Sequence, residues 1–431
     1  MSDSTAFTPS WPQRRLTDLA LYHNGVAFKP SDWSLDGLPI IRIEQLNNPD
    51  GEFDRYTGSV SEVNRIRDGD LVFSWSATLK VVIWRHGDGV LNQHLFKVVP
   101  KPGFDARFIY FLLDQSMEAL GNGSHGSTMK HIKRSELDKF IARVPPLAKQ
   151  RKIAAILVSL DTAIEKTEAL IEKHQQIKAG LMHDLFTRGV LPNGQLRPPR
   201  EQVPEMYRDT SIGHMPTDWS VREIGKVVES IVDGPFGSNL KTEHYVVDAG
   251  VRVVRLQNVS EAEYDDSDKA YISEQHARCL VRNKVVTGDV LIAGLGDERY
   301  PVGRACCYPA RTAPAVNKAD CFRARCNQDE MRNTFLMLFL NSEMARRQTR
   351  RFEQGVTRPR INTGNLKRLN VCVPSLGEQD RIIEQFELAR SVAASQRAEV
   401  EKLRAQKAGL MQDLLTGRVP VKIADTVAVP A

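Results

Sequence analysis

Two long stretches of the chain share one pattern of apolar and polar positions. In each stretch apolar residues recur at alternating steps of four and three, the spacing that makes one continuous face on a coiled-coil helix. The first series runs from Ile153 to Leu185 and the second from Ile382 to Leu414. The pattern predicts two long helices, which most simply pack on each other through these faces. Polar residues that could fix the register stand at Thr167, His174 and Lys178, and at Gln396 and Lys407.

The two stretches are copies of each other. VPPLAKQRKI returns as VPSLGEQDRI, and KAGLMHDLFTRGV returns as KAGLMQDLLTGRV, both 229 residues later. A helix requires such constant spacing, because one inserted residue would rotate every later side chain by about 100°. The predicted helices end after Phe186 and Leu415, where helix-breaking residues follow. These residues are Gly189, Pro192 and Gly194, and then Gly417 and Pro420.

A globular unit precedes each predicted helix. In the first unit LPIIRIEQL, DLVFSW, KVVIW and HLFKVV are short and β-branched, which is typical of strands, and FIYFLLDQSMEAL predicts a helix that ends at Gly121. The second unit repeats this plan loosely, with offsets that grow from 208 to 229, so the frameworks agree while the loops differ. The matched pairs are Trp11 with Trp219, Ile41 with Val254, Gly69 with Gly288, Gly126 with Gly355, and Asn92–Gln93 with Asn317–Lys318.

These patterns predict an α+β chain with a pseudo-two-fold internal repeat, in which two α/β domains are separated by two long helices packed as an antiparallel coiled coil. The linker is identified by its prolines. The predicted segments are a first domain at 1–145, a first helix at 146–190, a linker at 191–218, a second domain at 219–373, a second helix at 374–420 and a tail at 421–431.

Composition narrows the class of protein. With 41% hydrophobic and 26% charged residues the chain is an ordinary globular protein, and its net charge of +6 favours a nucleic-acid partner only slightly. No apolar run is long enough to span a membrane and no signal peptide is recognisable, so a cytoplasmic protein without a membrane partner is expected. All six cysteines lie in the second half without zinc-type spacing, which favours reduced structural thiols.

Motifs for catalysis are missing from the sequence. An adenine methyltransferase needs an amide or carboxylate beside two prolines and an aromatic ring, and neither Pro145–Pro146 nor Pro198–Pro199 has these neighbours. GNGSHG, from Gly121, fits a dinucleotide pattern but follows a predicted helix, whereas such a site needs a preceding strand. We therefore expect no catalytic, cofactor-binding or metal-binding residue in this chain.

Basic residues are dense near the end of the second domain. Between Arg346 and Arg368 the sequence holds eight arginines and lysines against one acid, Glu353. Arginines in a loop can neutralise phosphates or donate to guanine edges, which makes Arg358 and Arg360 candidates for DNA contact. For the arginines from 346 to 351, a solvated helix face is an equally good explanation.

The organisation resembles the specificity subunit of type I restriction-modification systems from about Trp11 to Val419. The strings that carry the resemblance are VPPLAKQRKIA, KAGLMHDLFTRGV, SWSATLKVVIW, GVLNQHLFKVV, HGSTMKHI and DGPFGSNLKTEHYVVDAGVRVVRLQNV. The resemblance implies that 1–145 and 219–373 are target-recognition domains, each recognising half of a bipartite, asymmetric DNA site, with the helices setting the spacer. Candidate DNA-contacting residues besides Arg358 and Arg360 are Ser76, Thr78, Lys80, Asn92, Gln93, His94, Ser127, Thr128, Lys130, His131, Ser238, Asn239, Lys241, Asn317 and Lys318, although turn chemistry also explains many of them.

The resemblance also implies partners. Two methyltransferase subunits would dock on the helices, in keeping with the repeated KAGLM ends, and a restriction and translocase subunit would join them on double-stranded DNA. S-adenosylmethionine, ATP and Mg²⁺ would be bound by those partners, and this chain would not be an enzyme. The alternative is a coiled-coil scaffold whose two domains bind protein instead of DNA.

Overall fold

The computed structural model describes residues 11–122, 132, 134–247, 250–310, 312–355 and 357–422. The chain forms two compact units. The first combines residues up to Ala169 with residues from Arg397 onward, and the second is the continuous segment Leu170–Gln396.

The elements of the first unit match the predicted mixed α/β composition. Its strands are β1 (Gln13–Arg15), β2 (Ala20–Asn24), β3 (Leu38–Ile41), β4 (Arg55–Tyr56), β5 (Arg65–Ile66), β6 (Leu71–Ser74), β7 (Lys80–Ile83), β8 (Gly89–Leu91), β9 (Leu95–Pro100) and β10 (Ile141–Arg143). Its helices are α1 (Leu16–Leu19), α2 (Ile43–Asn47), α3 (Ala106–Asn122), α4 (Arg134–Lys139) and the first part of α5 (Leu147–Thr187), with 3-10 turns at Pro30–Asp32 and Glu62–Asn64.

Unit two contains strands β11 (Tyr207–Thr210), β12 (Gly213–Pro216), β13 (Ser220–Glu223), β14 (Val228–Val232), β15 (Tyr245–Val246), β16 (Val251–Val254), β17 (Val259–Ser260), β18 (Glu263–Tyr264), β19 (Tyr271–Ile272), β20 (Lys284–Val285), β21 (Val290–Ala293), β22 (Ala305–Cys307), β23 (Ala315–Asn317), β24 (Cys321–Cys326) and β25 (Asn370–Val373). Its helices are α6 (Ile224–Val227), α7 (Glu274–Cys279), α8 (Asn333–Leu340), α9 (Glu343–Arg350), α10 (Thr363–Lys367) and the first part of α11 (Leu376–Thr416). Short 3-10 turns lie at Pro204–Met206, Gly237–Asn239, Thr242–His244, Leu256–Asn258 and Val281–Asn283.

Both units share one sheet topology, except that the mixed sheet of the second has an additional edge strand, β15. An antiparallel sheet has the order β2-β9-β6-β7 in the first unit and β14-β24-β21-β22 in the second. A mixed sheet has the order β4-β3-β8-β5 in the first, and β15-β19-β16-β23-β20 in the second. In each mixed sheet the central pair is parallel, β3 with β8 and β16 with β23. The repeated framework predicted from the sequence is therefore confirmed.

Equivalent turns also carry the matched residues. Gly69 and Gly288 both have positive φ angles, 91° and 84°, before β6 and β21, which explains why both copies keep glycine there. LPIIRIEQL, however, is a strand only from Leu38 to Ile41, because the following residues form α2. The Gln45 side chain accepts a hydrogen bond from the Arg42 backbone N–H (3.1 Å) and so caps that helix. Asn258 caps the equivalent turn of the second unit by accepting from Arg255 (2.9 Å).

The predicted apolar faces of both long helices are confirmed. Every predicted position, including Thr167, His174 and Gln396, is buried or half-buried. In the first unit Asp161 pairs with Lys407 (2.7 Å) and Glu168 with Arg404 (2.6 Å), so the helix segments run antiparallel. In the second unit, Lys178 lies 4.9 Å from the Phe386 ring centre, and α5 ends beside the start of α11, again antiparallel.

Each domain core is closed by the start of one long helix and the end of the other. In the first unit Ile153 and Leu157 of α5 pack in one core cluster with Leu414 and Leu415 of α11. In the second, Leu185 and Phe186 of α5 share a core with Ile382 and Phe386 of α11. The leucines of the repeated KAGLM ends are thus explained by packing inside the domains.

One glutamine near the start of each long helix ties that helix to its own domain, and the two occupy the same place in the two copies. The Gln150 side chain donates to the Pro145 carbonyl (2.8 Å) and accepts from the Asp105 N–H (2.9 Å). Gln379, at the same place in the second copy, donates to Pro374 (3.0 Å) and accepts from the Arg332 N–H (2.8 Å). Both side chains are buried, so these hydrogen bonds are shielded from water.

Glu378 holds the linker against the start of α11. Its carboxylate is an ion-pair partner of Arg197, and both side chains are at most 5% exposed. It also accepts hydrogen bonds from the Val190 backbone N–H and the Trp219 indole N–H, both at 3.0 Å. Burial opposes the charge of Arg197, yet its pairs with Glu378 and Asp218 leave its pKa above the ordinary value.

Candidate nucleic-acid interface

Three loops of the second unit lie next to one another and form one edge of that unit. The first loop follows β14 (233–239), the second follows β23 (318–320), and the third precedes α10 (352–361, Val356 excepted). Arg360 joins them, since its guanidinium pairs with Asp320 and lies 5.6 Å from the centre of the Phe236 ring. Lys318 lies over the Tyr245 ring at 5.3 Å.

The backbone of this edge is tightly held. Gln354 and Arg360 exchange two backbone hydrogen bonds of 2.9 Å, and the Gly296 N–H donates to the Pro359 carbonyl (2.9 Å). A Cβ atom at Gly234 would lie only 1.9 Å from the Lys318 carbonyl carbon, so the first loop can approach the second only with glycine there.

Asp320 has a left-handed backbone conformation, with φ at 64°. Its N–H donates to the Asp233 carboxylate (3.0 Å), and its carbonyl accepts from the Gly294 N–H (2.7 Å). Burial raises the pKa of Asp233, while hydrogen bonds from the Gly234 and Asp320 N–H groups act in the opposite direction. Two fixed backbone contacts therefore hold the carboxylate that pairs with Arg360.

A fourth loop, which the sequence did not predict, lies at this edge, since its Gly296 donates to Pro359. The Asp297 carboxylate accepts from the N–H groups of Arg299 and Tyr300 (2.9 and 2.8 Å), and these bonds, with Arg304 and Arg358 nearby, lower its pKa. Tyr300 is 44% exposed, and the Arg299 guanidinium lies 5.5 Å from its ring centre. The sequence of this loop, GLGDERY from Gly294, contains one aromatic residue and no repeated pattern that would mark it as part of an interface.

The other candidates in the second unit have varied environments. Arg358 and Asn239 are exposed, and the Asn239 carbonyl accepts from His276 (2.8 Å). Lys241 is exposed and lies 3.5 Å from the Glu243 carboxylate. Ser238 belongs to the turn Gly237–Asn239, but its side chain lies outside the described residues.

Asn317 is fully buried, which favours a structural role. Its amide donates to the Val232 and Cys321 carbonyls (3.0 and 2.6 Å), and its oxygen accepts from Asn283 (3.2 Å). The expected match of Asn317 with Asn92 is wrong by one residue. Strand register aligns Val254 with Asn317 and Ile41 with Leu91, so the counterpart of Asn92 is Lys318.

In the first unit the candidates lie around β6 to β9. Ser76 and Asn92 are buried, whereas Thr78 and Gln93 are exposed. The Lys80 ammonium donates to the Leu46 carbonyl (2.6 Å) and the Asn47 side chain (3.2 Å), which anchors it to α2. The His94 ring lies 5.7 Å from the ring of Trp75. Ser127, Thr128, Lys130 and His131 lie outside the described residues.

The matched segments nevertheless occupy equivalent places. The Ile132 N–H donates to the Trp75 carbonyl (2.8 Å) after β6, as the Ile361 N–H donates to the Gly294 carbonyl (2.9 Å) after β21. The arginines of α9 are engaged with acids, since Arg346 pairs with Glu261 (2.7 Å) and Arg350 with Glu343 (3.2 Å). The exposed Arg350 fits the explanation of α9 as a solvated helix face, whereas Arg346 is half-buried against the body of the unit.

The described residues contain neither a membrane-spanning helix nor a cluster of metal ligands. No helix there combines the length and apolar character of a membrane span. Nor do three or more His, Cys, Asp or Glu side chains come together in the described part as metal ligands.

Known type I specificity proteins resemble this chain over most of its length. The family model for the type I restriction modification DNA specificity domain matches twice, at residues 9–174 and 216–391. The chain is 23% identical to the type I restriction enzyme MjaVIII specificity subunit of Methanocaldococcus jannaschii, with 96% of this chain and 93% of that protein covered. It is 25% identical to the EcoBI specificity subunit of Escherichia coli, with 94% and 85% covered.

Solved structures show the same fold. One solved structure comes from a study of complex assembly and conformational transition of the type I R-M system. It matches with a TM-score of 0.60 and 15% identity, over 96% of this chain and all of that one. The S subunit of a type I system from M. genitalium matches with a TM-score of 0.54 and 14% identity, over 96% and 98%.

Proposed function

The chain belongs to the family of type I restriction-modification DNA specificity proteins, and we infer that it is the subunit that selects the DNA sequence in such a complex. The observation that carries this is the duplicated domain, whose two copies share a strand order but differ in the loops at one edge. One framework with two sets of loops suits two different half-sites.

Each domain is proposed to recognise one half of a bipartite, asymmetric site in double-stranded DNA. In the second domain the interface comprises Phe236, Lys318, Arg358 and Arg360, together with Arg299. The helices α5 and α11 have 41 residues each, about 60 Å at ~1.5 Å per residue. One turn of DNA is about 34 Å, so helix length would set the unrecognised spacer between the half-sites.

Two methyltransferase subunits are proposed to dock on the repeated helix ends. The leucines of the repeated KAGLM ends pack against the domain cores. The repeated positions that remain exposed are Ala179–Gly180 and Ala408–Gly409. Apart from the adjacent backbone of the same helix, no atom of the described residues comes within 4 Å of a Cβ built on either glycine. A bulky residue there would obstruct a partner helix without disturbing the chain itself.

Catalysis is assigned to the partners. S-adenosylmethionine would be bound by the methyltransferase subunits, and ATP and Mg²⁺ by a restriction and translocase subunit that joins them. The residues of this chain would bind and orient DNA, and the purified chain is expected to transfer no methyl group. Methyl transfer by the chain alone would contradict this assignment.

Base-resolved methylation mapping tests the proposal. Cells would carry a plasmid with the gene of a methyltransferase subunit that assembles with this chain, with or without the chain itself. We expect adenine methylation confined to a two-part motif, lost when this chain is omitted, and the map would give the spacer directly. Methylation that persists unchanged without the chain would refute the proposal.

Salt dependence separates DNA recognition from the scaffold alternative. A DNA-binding chain loses affinity for duplex steeply as salt rises, because bound phosphates release counterions. Gly180→Arg with Gly409→Arg should prevent assembly with the methyltransferase but leave this salt-dependent binding intact. A chain without duplex affinity at low salt would instead be a protein-binding scaffold.

A further inference from the structure

Arg360 is fixed at both its backbone and its side chain. The two hydrogen bonds exchanged with Gln354 hold its main chain, and the N–H of the next residue, Ile361, donates to Gly294. Its Nε and Nη2 atoms both donate to Oδ1 of Asp320, the first at 2.7 Å, and Phe236 lies beneath the guanidinium. A side chain held in this way loses little entropy on binding.

The donors that remain point to a planar acceptor pair. A guanidinium has five N–H donors, and the Asp320 carboxylate uses those on the Nε–Nη2 edge. The N–H groups along the Nη1–Nη2 edge remain available to a ligand, and the side chain is 47% exposed. The preferred base partner of an arginine fork is guanine, whose O6 and N7 accept both bonds in the major groove.

Pairing with Asp320 argues against a phosphate partner. The carboxylate offsets the arginine charge, which reduces the long-range attraction that makes phosphate contacts favourable. Arg358, two residues earlier and exposed, is better suited to phosphate. The loop therefore has one arginine suited to a phosphate, Arg358, and one whose fixed orientation suits a base edge, Arg360.

The equivalent positions of the first domain hold different residues. Strand register places His94 where the second domain has Asp320, because Asn92 corresponds to Lys318. The constant spacing of 229 places His131 where Arg360 stands, although His131 lies outside the described residues. Positions that change while the surrounding hydrogen bonds stay constant are where two half-sites would be distinguished.

We propose that Arg360 recognises one guanine in the half-site of the second domain, and that Asp320 and Phe236 are positioning residues that orient its guanidinium. This inference rests on the proposed DNA-binding function. It separates base contact from phosphate contact within the interface, and it assigns the preference for one G·C pair to a single side chain.

The experiment uses the complex assembled with its methyltransferase subunits and duplexes substituted at each base pair of both half-sites. Competition binding gives the preference at every position. For Arg360→Lys, which keeps the charge, we expect the preference for one G·C pair to fall by about 10- to 100-fold. Asp320→Asn should reduce preference at the same pair, with no loss of affinity for non-specific duplex.

Matched controls distinguish the outcomes. Arg358→Ala should weaken binding to all sequences alike and lower the salt slope by about one. Preferences in the first half-site should be unchanged in every variant, which verifies folding and assembly.

Two results would be decisive in the other direction. If Arg360→Lys and Asp320→Asn alter no single-position preference, or scale all sequences equally, Arg360 is a phosphate contact and the inference fails. If the unmodified complex shows no sequence preference at all, the proposed function fails instead.

Discussion

Replacing Glu378 by Gln tests how the linker is fastened to the second unit. The substitution keeps the shape of the side chain but removes the charge that Arg197 faces, and Asp218 remains as its only ion-pair partner among the described residues. Removing one member of a buried pair costs about 3–5 kcal/mol, because the other charge stays buried. Asp218 is 61% exposed and recovers part of this, so we expect a loss of about 3 kcal/mol.

The assay is hydrogen exchange followed by mass spectrometry at increasing urea, which gives opening free energies for individual segments. Peptides from the linker and the start of α11 should lose protection in Glu378→Gln, while peptides of the first unit should not. Glu384→Gln, an exposed position on the same helix, is the matched control and should change stability by less than about 0.5 kcal/mol.

A second variant sharpens the test. Adding Arg197→Met to Glu378→Gln removes the stranded charge, so the double variant should recover much of the lost stability. Equal protection of the linker in Glu378→Gln and Glu384→Gln, within about 1 kcal/mol, would refute the reasoning that a buried ion pair holds this segment.

Three further predictions concern the first unit and the helix ends. Gly409→Ala should raise the free energy of unfolding in urea by up to about 1 kcal/mol, because alanine favours a helix and its Cβ meets open space; destabilisation would show that glycine is needed for the fold itself. Gln150→Leu should cost about 2 kcal/mol by leaving the Asp105 N–H and Pro145 carbonyl unpaired, whereas Lys152→Leu, exposed on the same helix, should change little in calorimetry; equal melting temperatures would contradict this. Burial raises the pKa of Asp114, with Lys407 opposing and Asp161 adding to the shift, so the native state disfavours its charged form. Wild-type stability is therefore lost as pH rises from about 4 through the raised pKa, and Asp114→Asn should melt at higher temperature at pH 7 but not at pH 3.5; a difference independent of pH would exclude this cause.

The long helices could be predicted in detail because their periodicity is independent of tertiary context. The predicted ends, Phe186 and Leu415, lie one residue before the observed ends at Thr187 and Thr416. Constant spacing between the copies carried this information, since any insertion would have rotated one face away from its partner.

The residues of the proposed interface were harder to predict, because their positions depend on strand register and on contacts between loops. A one-residue difference in strand register made Lys318, instead of Asn317, the counterpart of Asn92, and residue matching alone could not detect it. The importance of Asp320 depends on its contact with Arg360, which is 40 residues away in sequence and has no periodic pattern. Tyr300 was missed because one exposed aromatic in a loop leaves no sequence pattern.

The way each core is closed by two different helices has a consequence for synthesis on the ribosome. The second unit is one continuous segment, so every residue of its core has been made once Gln396 is added. The core of the first unit also needs Leu414 and Leu415, which follow the whole of the second unit along the chain. The first unit therefore cannot complete its core until the second unit has been fully synthesised. Until then, part of the apolar surface of the first unit stays exposed.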